Sequence, residues 1–213
     1  MKAPLKPTSD CPLCPRLAAF RHDNRKKHPD WFNAPVPAFG PRGARLAIAG
    51  LAPGLQGANR TGRPFTGDWA GDTLYETLLK LKMAKGVYEE RSDDTLELID
   101  CRIVNSVRCV PPQNKPEPSE IKTCRQFLIS ELDNMPNLNT ILALGKIAHD
   151  SVLKTLDARI AAHPFKHGAV YKIGKFQLIS SYHCSRYNTN TGVLTMEMFE
   201  TVVAKAKKLA AIP

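Results

Sequence analysis

Short apolar runs alternate with amphipathic stretches along this chain. Each apolar run has the length of a buried strand, and each amphipathic stretch repeats its apolar residues at helical spacing. Four strand and helix units in succession predict an α/β protein, in which three α/β/α layers surround a central, mostly parallel four-stranded sheet. The predicted strands lie at about Ala44–Leu51, Leu98–Val104, 139–145 and Lys175–His183.

Helix starts are predicted from capping signals. Thr73 followed by Glu76 fits a capping box, so the first helix of the alternating units is expected to begin at Asp72 or Thr73. The later helices are expected at about Pro118–Asn134, 146–156 and Thr195–Ala211, and a basic segment after Cys11 is predicted to be helical as well. A Pro-rich extended connector follows that segment. The whole chain, 1–213, is expected to form one domain, with 1–10 disordered and 11–43 as an N-terminal extension.

The stretch from Arg45 to Leu78 reads as a strand, a long polar loop and the start of a helix. Ligands of α/β proteins bind at the carboxyl ends of the strands, and a loop this long inside a compact domain is usually functional. Its glycines allow close backbone approach, and its side chains suit phosphates and bases. The donors are Asn59, Arg60, Thr61 and Arg63, and the acceptor is Asp68.

Composition narrows the class of partner. The 213 residues are 43% hydrophobic, which is enough for a single core. The 30 Lys and Arg against 20 Asp and Glu give a net charge of +10, which suits a polyanion such as nucleic acid, although solvated lysines alone also produce such a balance. Neither a membrane span nor a signal peptide is visible, so we expect a cytoplasmic protein.

Six cysteines in a cytoplasmic protein are expected to be thiols or metal ligands rather than disulfides. Cys11 and Cys14 form a C-x-x-C pair, and Cys109 and Cys124 flank a Pro-rich loop and the first turn of the next helix. A single C-x-x-C pair favours an iron-sulfur cluster over zinc. Buried apolar thiols that bind no metal are an equally good interpretation of the four cysteines. Cys101 and Cys184 are assigned to the core or to the lining of a site.

Two polar residues end predicted strands at the same edge of the sheet. Asn105 carries an amide that can read the Watson–Crick edge of a uracil-like base, or can simply bond its own loop. His183 can donate a hydrogen bond to an oxygen that gains negative charge, and a structural histidine is its alternative.

Two further loop positions suit a nucleic-acid ligand. Phe65 can stack on a base or anchor its loop to the core. Arg186 and Tyr187 lie in a loop that can enter a duplex and contact phosphates, or are ordinary surface residues.

Taken together, these residues give the chain a resemblance to the uracil-DNA glycosylase superfamily, most closely to its iron-sulfur type b branch (family 5). The loop GLAPGLQGANRTGRPFTGD is similar to the first motif of that branch, and HCSRYNTNTG is similar to the second. The segments CPLCPRL, PVPAFG and VNSVRCVPPQNKP resemble the family too, so the likeness extends over nearly the whole chain.

The resemblance implies a monofunctional glycosylase, acting as a monomer on DNA that contains deaminated bases. Such an enzyme flips uracil out of DNA and hydrolyses its N-glycosidic bond. The resemblance also implies that Cys11, Cys14, Cys109 and Cys124 hold a structural 4Fe-4S cluster. It places Asn105 at the base, Phe65 in the stack and His183 at the departing base. The substrate-binding residues it indicates are Ala52, Pro53, Gly54, Phe65, Arg186 and Asn188.

Two departures from the superfamily pattern stand out. Ala52 occupies the motif position where better-known branches carry an Asp or Asn that handles the attacking water. Type b enzymes also lack that Asp or Asn. We therefore expect Asn59 or Asp68 to position the water, and a base range that extends to hypoxanthine and xanthine. Cys184 replaces the usual Pro after the motif histidine, which frees the backbone there.

A competing function is a non-catalytic, metal-stapled nucleic-acid-binding module with the same basic surface. The pair of Asn105 and His183 argues against it, because binding alone does not need them. A nucleotide-binding α/β enzyme is disfavoured, because no G-x-G-x-x-G or Walker loop follows the first strand.

Overall fold

The computed structural model describes residues 4–213. Within this range the strands are β1 (Leu46–Gly50), β2 (Ala84–Lys85), β3 (Glu97–Leu98), β4 (Cys101–Asn105), β5 (Thr140–Leu144), β6 (Val170–Ile173) and β7 (Phe176–Ser181). The α-helices are α1 (Pro15–Lys27), α2 (Ala58–Thr61), α3 (Trp69–Lys80), α4 (Pro118–Asp133), α5 (Lys146–Thr155), α6 (Arg186–Asn190) and α7 (Met196–Leu209). Two 3₁₀ turns lie at Pro112–Asn114 and Ile160–Ala162.

The central sheet has the order β4-β1-β5-β7-β6. Its first four strands are mutually parallel, and β6 pairs antiparallel with β7. Every residue of β1, β4 and β5 is buried, as parallel strands require when helices cover both faces. The α/β class and the mostly parallel sheet are therefore confirmed.

The predicted number of four strands is wrong, because β6 adds a fifth. β6 and β7 form a hairpin whose connection contains Gly174, at a positive φ of 54°. The side chains of β6 are only partly buried, so this strand lacks the apolar run by which the others were recognised.

Helices cover the sheet on two sides and complete the three layers. On one side α3 and α7 bury Leu74, Leu78, Phe199 and Val203 against the sheet. On the other side α4 and α5 bury a second set of apolar side chains, namely Leu128, Leu132, Val152 and Leu153. Burying apolar area on both faces is the main favourable contribution to folding.

The predicted start of α3 is also wrong. The helix begins at Trp69, and the Asp68 side chain caps it by accepting from the N–H of Gly71 at 3.1 Å. The Thr73 hydroxyl donates instead to the carbonyl of Trp69 at 3.1 Å. A capping box does occur at α4, where Glu120 accepts from the N–H of Glu117.

The N-terminal extension lies against the main body of the fold. Of the segment predicted to be disordered, residues 1–3 lie outside the described residues. The N–H of Leu5 donates to Ser130 on α4 at 2.7 Å, and Asp10 pairs with Arg25 on α1. Beyond α1 the connector runs to Phe39, which bridges to Ile103 of β4.

None of the helices within residues 4–213 has the length and hydropathy that a bilayer crossing requires.

Candidate active site

A cavity of about 420 Å³ opens at the carboxyl edge of the sheet. The loops that follow β1, β4 and β7 form its walls, so it occupies the position where α/β proteins bind ligands. Its lining residues are Leu51, Ala52, Pro53, Gly54, Ala58, Phe65, Asp68, Trp69, Ala70, Asn105, Asn114, His183, Ser185 and Arg186.

Most of the residues predicted for the site meet in this cavity. They are Ala52, Pro53, Gly54, Phe65, Asp68, Asn105, His183 and Arg186. Asn59 and Asn188, also predicted for the site, lie outside the lining. The side chain of Asn188 donates to the carbonyl of His183 at 2.8 Å, so it supports a site residue from behind.

Asn105 is the last residue of β4 and lies in register with Gly50 at the end of β1. It is 3% exposed, and its Oδ1 finds no hydrogen-bond donor in the described part of the chain. A side chain at Gly50 would collide with this oxygen and with the Phe65 ring, which explains the glycine. A buried carbonyl without a donor costs free energy, and Oδ1 is one of several buried side-chain atoms in the described part of the chain that lack a partner.

The Phe65 ring lies beside the imidazole of His183. The two ring centroids are 6.0 Å apart and the planes are inclined by 26°. Phe65 has a positive φ of 52°, a conformation that costs a non-glycine residue free energy and is often found at functional sites. Gly71 allows this turn, since a side chain there would strike the carbonyl of Phe65. An aromatic face and an imidazole thus border the same space.

His183 lies two residues beyond the end of β7, which stops at Ser181 and not at His183 as predicted. Burial lowers the pKa of His183 below its ordinary value of 6.5, and the carboxylate of Asp68 acts in the opposite direction. The imidazole is therefore neutral near pH 7. A neutral imidazole has one N–H to donate and one nitrogen that accepts.

Asp68 places a carboxylate at the wall of the cavity. Its Oδ1 accepts from Gly71 as the cap of α3, and its Oδ2 packs against Gly54 and Gly57 of the first loop. Side chains at those two glycines would collide with the carboxylate. The glycines of the motif thus make room for Asp68 as well as for a ligand.

Asn59 is fully buried and joins the first loop to the N-terminal connector. Its Nδ2 donates to Asn33 Oδ1 at 2.9 Å, and its carbonyl accepts from the N–H of Asn33 at 3.0 Å. The amide N–H of Asn59 also donates to the carbonyl of Gly54 at 3.0 Å. These contacts give Asn59 the position of a scaffold residue.

Six cavity residues were missed from the sequence, and three of them carry a polar or a large aromatic side chain. Trp69 directly follows Asp68, Asn114 lies in the 3₁₀ turn with a positive φ of 57°, and Ser185 caps α6. A large aromatic residue next to the polar motif is a signal that could have pointed to Trp69. Nothing in the pattern around Asn114 indicates that its loop reaches the cavity.

A second, much smaller cavity lies between α1, α4 and the loop after β4. All four predicted ligand cysteines line it, together with apolar side chains such as Leu17 and Phe127. Arg21 donates to Cys109 Sγ at 3.5 Å, and the N–H of Arg108 donates to Cys124 Sγ at 3.3 Å.

Within residues 4–213, no three His, Cys, Asp or Glu side chains form a group that could hold a metal ion. Burial raises the pKa of Cys109 to about 11 and that of Cys124 to about 12.

The other two cysteines lie elsewhere, in buried positions. Cys101 begins β4 and its thiol donates to the carbonyl of Met83 at 3.4 Å. Cys184 donates to the carbonyl of Ala70 at 3.4 Å, directly behind the cavity wall. Both positions agree with the expectation that these two residues belong to the core or the site lining.

The sheet and its two helical layers define an α/β/α protein with a cavity at the carboxyl edge of the strands. The profile of the Uracil DNA glycosylase superfamily matches residues 37–207. The chain belongs to this superfamily, and the resemblance drawn from its motifs is confirmed.

Three relatives show the extent of the similarity. A Type-5 uracil-DNA glycosylase of Thermus thermophilus is 44% identical over 209 residues, which cover 95% of this chain and 94% of the relative. A Type-5 uracil-DNA glycosylase of Pyrobaculum aerophilum is 37% identical over 201 residues, which cover 92% of this chain and 88% of the relative. A Type-5 uracil-DNA glycosylase of Mycobacterium bovis is 38% identical over 213 residues, which cover 96% of this chain and 80% of the relative.

Proposed function

We propose that this protein is a monofunctional uracil-DNA glycosylase of DNA repair, which flips uracil out of DNA and hydrolyses the N-glycosidic bond to leave an abasic site. The observation that carries the proposal is the unpartnered Oδ1 of Asn105 beside the rings of Phe65 and His183 in one cavity. The names of the three relatives support the same activity.

Asn105 supplies the base recognition. The amide oxygen accepts from the N3–H of uracil, and the amide nitrogen donates to O4 on the same edge. Because Asn105 is held at the end of a buried strand, its amide is oriented before the base arrives. Cytosine lacks the N3–H, so it would leave the buried oxygen without a donor. Phe65 covers the face of the base.

His183 stabilises the departing base. The bond breaks through an oxocarbenium-like state while uracil leaves as an anion, so the site needs donors aimed at the base oxygens. A neutral imidazole still carries one N–H, which it can donate to O2. Backbone N–H groups of Ala52 and Gly54 lie in the same wall, whereas Pro53 has none to offer.

Asp68 is our choice over Asn59 for the residue that positions the attacking water. Asp68 lines the cavity, and one of its oxygens is engaged by Gly71 while the other faces the first loop. Asn59 is bonded to Asn33 behind the loop. A carboxylate beside an oxocarbenium-like sugar also opposes the positive charge that develops there.

The short helix α6 provides the contact with the DNA duplex. Tyr187 is 74% exposed at its start, and Arg186 beside it lines the cavity. An exposed aromatic side chain next to a cation can enter the stack that the flipped base leaves and can pair with phosphates. The net charge of +10 adds a general attraction to DNA.

Cys11, Cys14, Cys109 and Cys124 would hold a 4Fe-4S cluster. These residues fit such a cluster, because four thiols line one apolar cavity and two of the sulfurs already accept hydrogen bonds from N–H groups. A single zinc would need the sulfurs about 2.3 Å from one point, whereas a cluster takes each cysteine on a different iron and so needs a wider arrangement. When bound, the cluster supplies a structural clamp between α1 and α4.

Two further properties are part of the proposal. Without a carboxylate at Ala52, cleavage depends more on leaving-group stabilisation, which suits a base range that includes hypoxanthine and xanthine. We also assign the enzyme to the cytoplasm, in keeping with six cysteines that form no disulfide in the described part of the chain, and we expect it to be a monomer.

The first experiment uses end-labelled duplexes that carry one uracil, hypoxanthine or xanthine, followed by hot alkali and a sizing gel. Breaks only at the modified base, and only after alkali, are the expected result. Intact strands despite tight binding would instead support the metal-stapled binding module.

The cluster has its own test. Protein purified without oxygen should contain about four irons per chain, and Cys109→Ser should lose them. Cys101→Ser is the matched control, since Cys101 lies outside the small cavity. Equal iron in both variants, or zinc in their place, would contradict the assignment.

A further inference from the structure

Trp69 places a large aromatic side chain at the rim of the cavity. It is the first residue of α3, lines the cavity and is 46% exposed. The other tryptophan, Trp31, is stacked on His28 with ring centroids 3.9 Å apart and does not line the cavity. A partly exposed indole at the mouth of a cavity offers an aromatic face on which a planar ligand can stack.

The indole is held in one orientation from the side of α6. Its Nε1–H donates to Thr189 Oγ1 at 2.9 Å, and the guanidinium carbon of Arg186 lies 5.7 Å from the ring centroid. A ring that is already fixed loses little side-chain entropy when it meets a ligand. Trp69 therefore presents an ordered apolar surface, and Arg186 presents a positive charge next to it.

An aromatic surface beside a cation is the combination by which proteins hold single-stranded nucleic acid, since bases stack on the ring and phosphates meet the charge. The rim residues are continuous with the cavity that would hold the flipped base. A strand whose flipped nucleotide enters that cavity must cross the rim, and Trp69 and Arg186 form one part of the rim.

We propose that Trp69 and Arg186 form a second nucleotide subsite, in which the indole stacks on the base next to the flipped nucleotide in the same strand and Arg186 pairs with a phosphate. The inference rests on the proposed function, because it takes the flipped base as the occupant of the cavity. Stacking on a ring accepts any base, so the subsite favours unpaired or mismatched strands, whose neighbouring base is free to leave the duplex.

The direct test is fluorescence. Trp31→Phe leaves Trp69 as the single tryptophan. This variant is titrated with a single-stranded oligonucleotide that carries a tetrahydrofuran residue, a stable abasic analogue, at the position of the damaged nucleotide. We expect saturable quenching of Trp69. When the nucleotides on both sides of that position are also tetrahydrofuran residues, the quenching should disappear although the oligonucleotide still binds.

The kinetic test measures variants of Trp69 on substrates with and without bases next to the uracil. On single-stranded DNA with one uracil, Trp69→Leu should raise KM roughly tenfold or more while kcat changes little. On DNA whose neighbouring nucleotides lack bases, the same variant should raise KM no further. Trp69→Phe should retain most of the affinity, because it keeps an aromatic face. Thermal melting checks that each variant is folded.

Thr189→Val separates stacking from a merely structural latch. This variant removes the hydrogen bond to Nε1 and keeps the indole. The subsite would be refuted if Thr189→Val reproduced the whole effect of Trp69→Leu. It would also be refuted if Trp69→Leu raised KM equally with and without neighbouring bases. In either case the role of Trp69 would be to hold α6 in place. Absence of uracil release by the wild-type protein would overturn the proposed function, whereas quenching by the uncleavable oligonucleotide would still test the subsite.

Discussion

Arg63 and Asp94 form a bidentate ion pair that is enclosed by the protein. The two N···O distances are both 2.6 Å, and the side chains are 4% and 0% exposed. The rings of Phe39, Tyr75 and Tyr88 surround the guanidinium at 5.0 to 5.7 Å. Burial acts to raise the pKa of Asp94, but the hydrogen bonds from Arg63 and the backbone outweigh it and hold this pKa below its usual range.

This pair joins the loop that carries Phe65 to the segment that precedes β3. Removing one partner of a buried pair leaves an uncompensated charge, so Arg63→Met should lower the free energy of unfolding by about 3 to 5 kcal/mol. Urea denaturation measures the loss. Lys85→Met is the matched control, because Lys85 and Glu97 form a pair on the β2–β3 hairpin that is 65% and 66% exposed. That control should cost less than about 1 kcal/mol, and equal losses would show that enclosure adds nothing.

His183→Ala should slow cleavage of uracil DNA by about 10² to 10³ in kcat, the usual effect of removing one preorganised donor. Binding of DNA with an abasic analogue should stay nearly unchanged, because that ligand has no departing base. Since burial lowers the pKa of His183, its titration should not appear in kcat above pH 6.5. His22→Ala, on the exposed surface of α1, is the control. Full activity in His183→Ala would remove His183 from the mechanism.

Asp68→Asn should lower kcat by about 10² or more and leave stability nearly intact. Asn caps a helix about as well as Asp, so the bond from Gly71 can persist while the charge is lost. Asp68→Ala should in addition cost about 1 kcal/mol of stability, because it removes the cap. Single-turnover kinetics and thermal melting separate the two effects. A wild-type kcat in Asp68→Asn would rule out Asp68, and Asn59 would then be the remaining candidate for positioning the attacking water.

The stability of the fold should decline as the pH falls below 6.5. Burial lowers the pKa of His149, whose Nδ1 lies 2.7 Å from Ser180 Oγ and whose Nε2 lies 2.9 Å from the carbonyl of His163. A carbonyl only accepts, so Nε2 carries the proton of the neutral ring. Below pH 6.5 the unfolded chain takes up a proton that the folded chain does not, and stability falls until the folded pKa is reached.

The check is urea denaturation at pH 7.5 and pH 5.5. Each such histidine can contribute up to about 1.4 kcal/mol per pH unit in this window. The pKa values of His167 and His183 are also lowered by burial, so His149→Gln should reduce the pH dependence without abolishing it. A stability that rises on acidification in this range would contradict the assignment.

The sequence predicts the parallel strands well because their burial on both faces leaves continuous apolar runs. It also predicts that Asn105 and His183 lie at the same edge of the sheet, since both mark the carboxyl ends of parallel strands, and both line the cavity. The half-buried β6 leaves no such run. The spacing of Thr73 and Glu76 imitates a capping box, so the pattern places the start of α3 too late, whereas Asp68 is the residue that caps the helix.

The division of the first loop could not be predicted from its composition. Asn59 and Asp68 are both polar residues of one motif, yet Asn59 faces the connector and Asp68 faces the cavity. The difference depends on Asn33, which lies far away in the sequence and offers Asn59 its partner. Trp69 was missed for a similar reason, since its place is fixed by Thr189 on α6.

The strand order has a consequence for the newly made chain. β1 lies between β4 and β5, so one edge of β1 keeps unpaired N–H and C=O groups after β4 has been synthesised and until β5 emerges. An open apolar edge is a template for pairing with another chain. We expect ribosome-bound chains that stop before Thr140 to be bound by chaperones or to aggregate, and this tendency to end only when β7 has emerged and covers the free edge of β5.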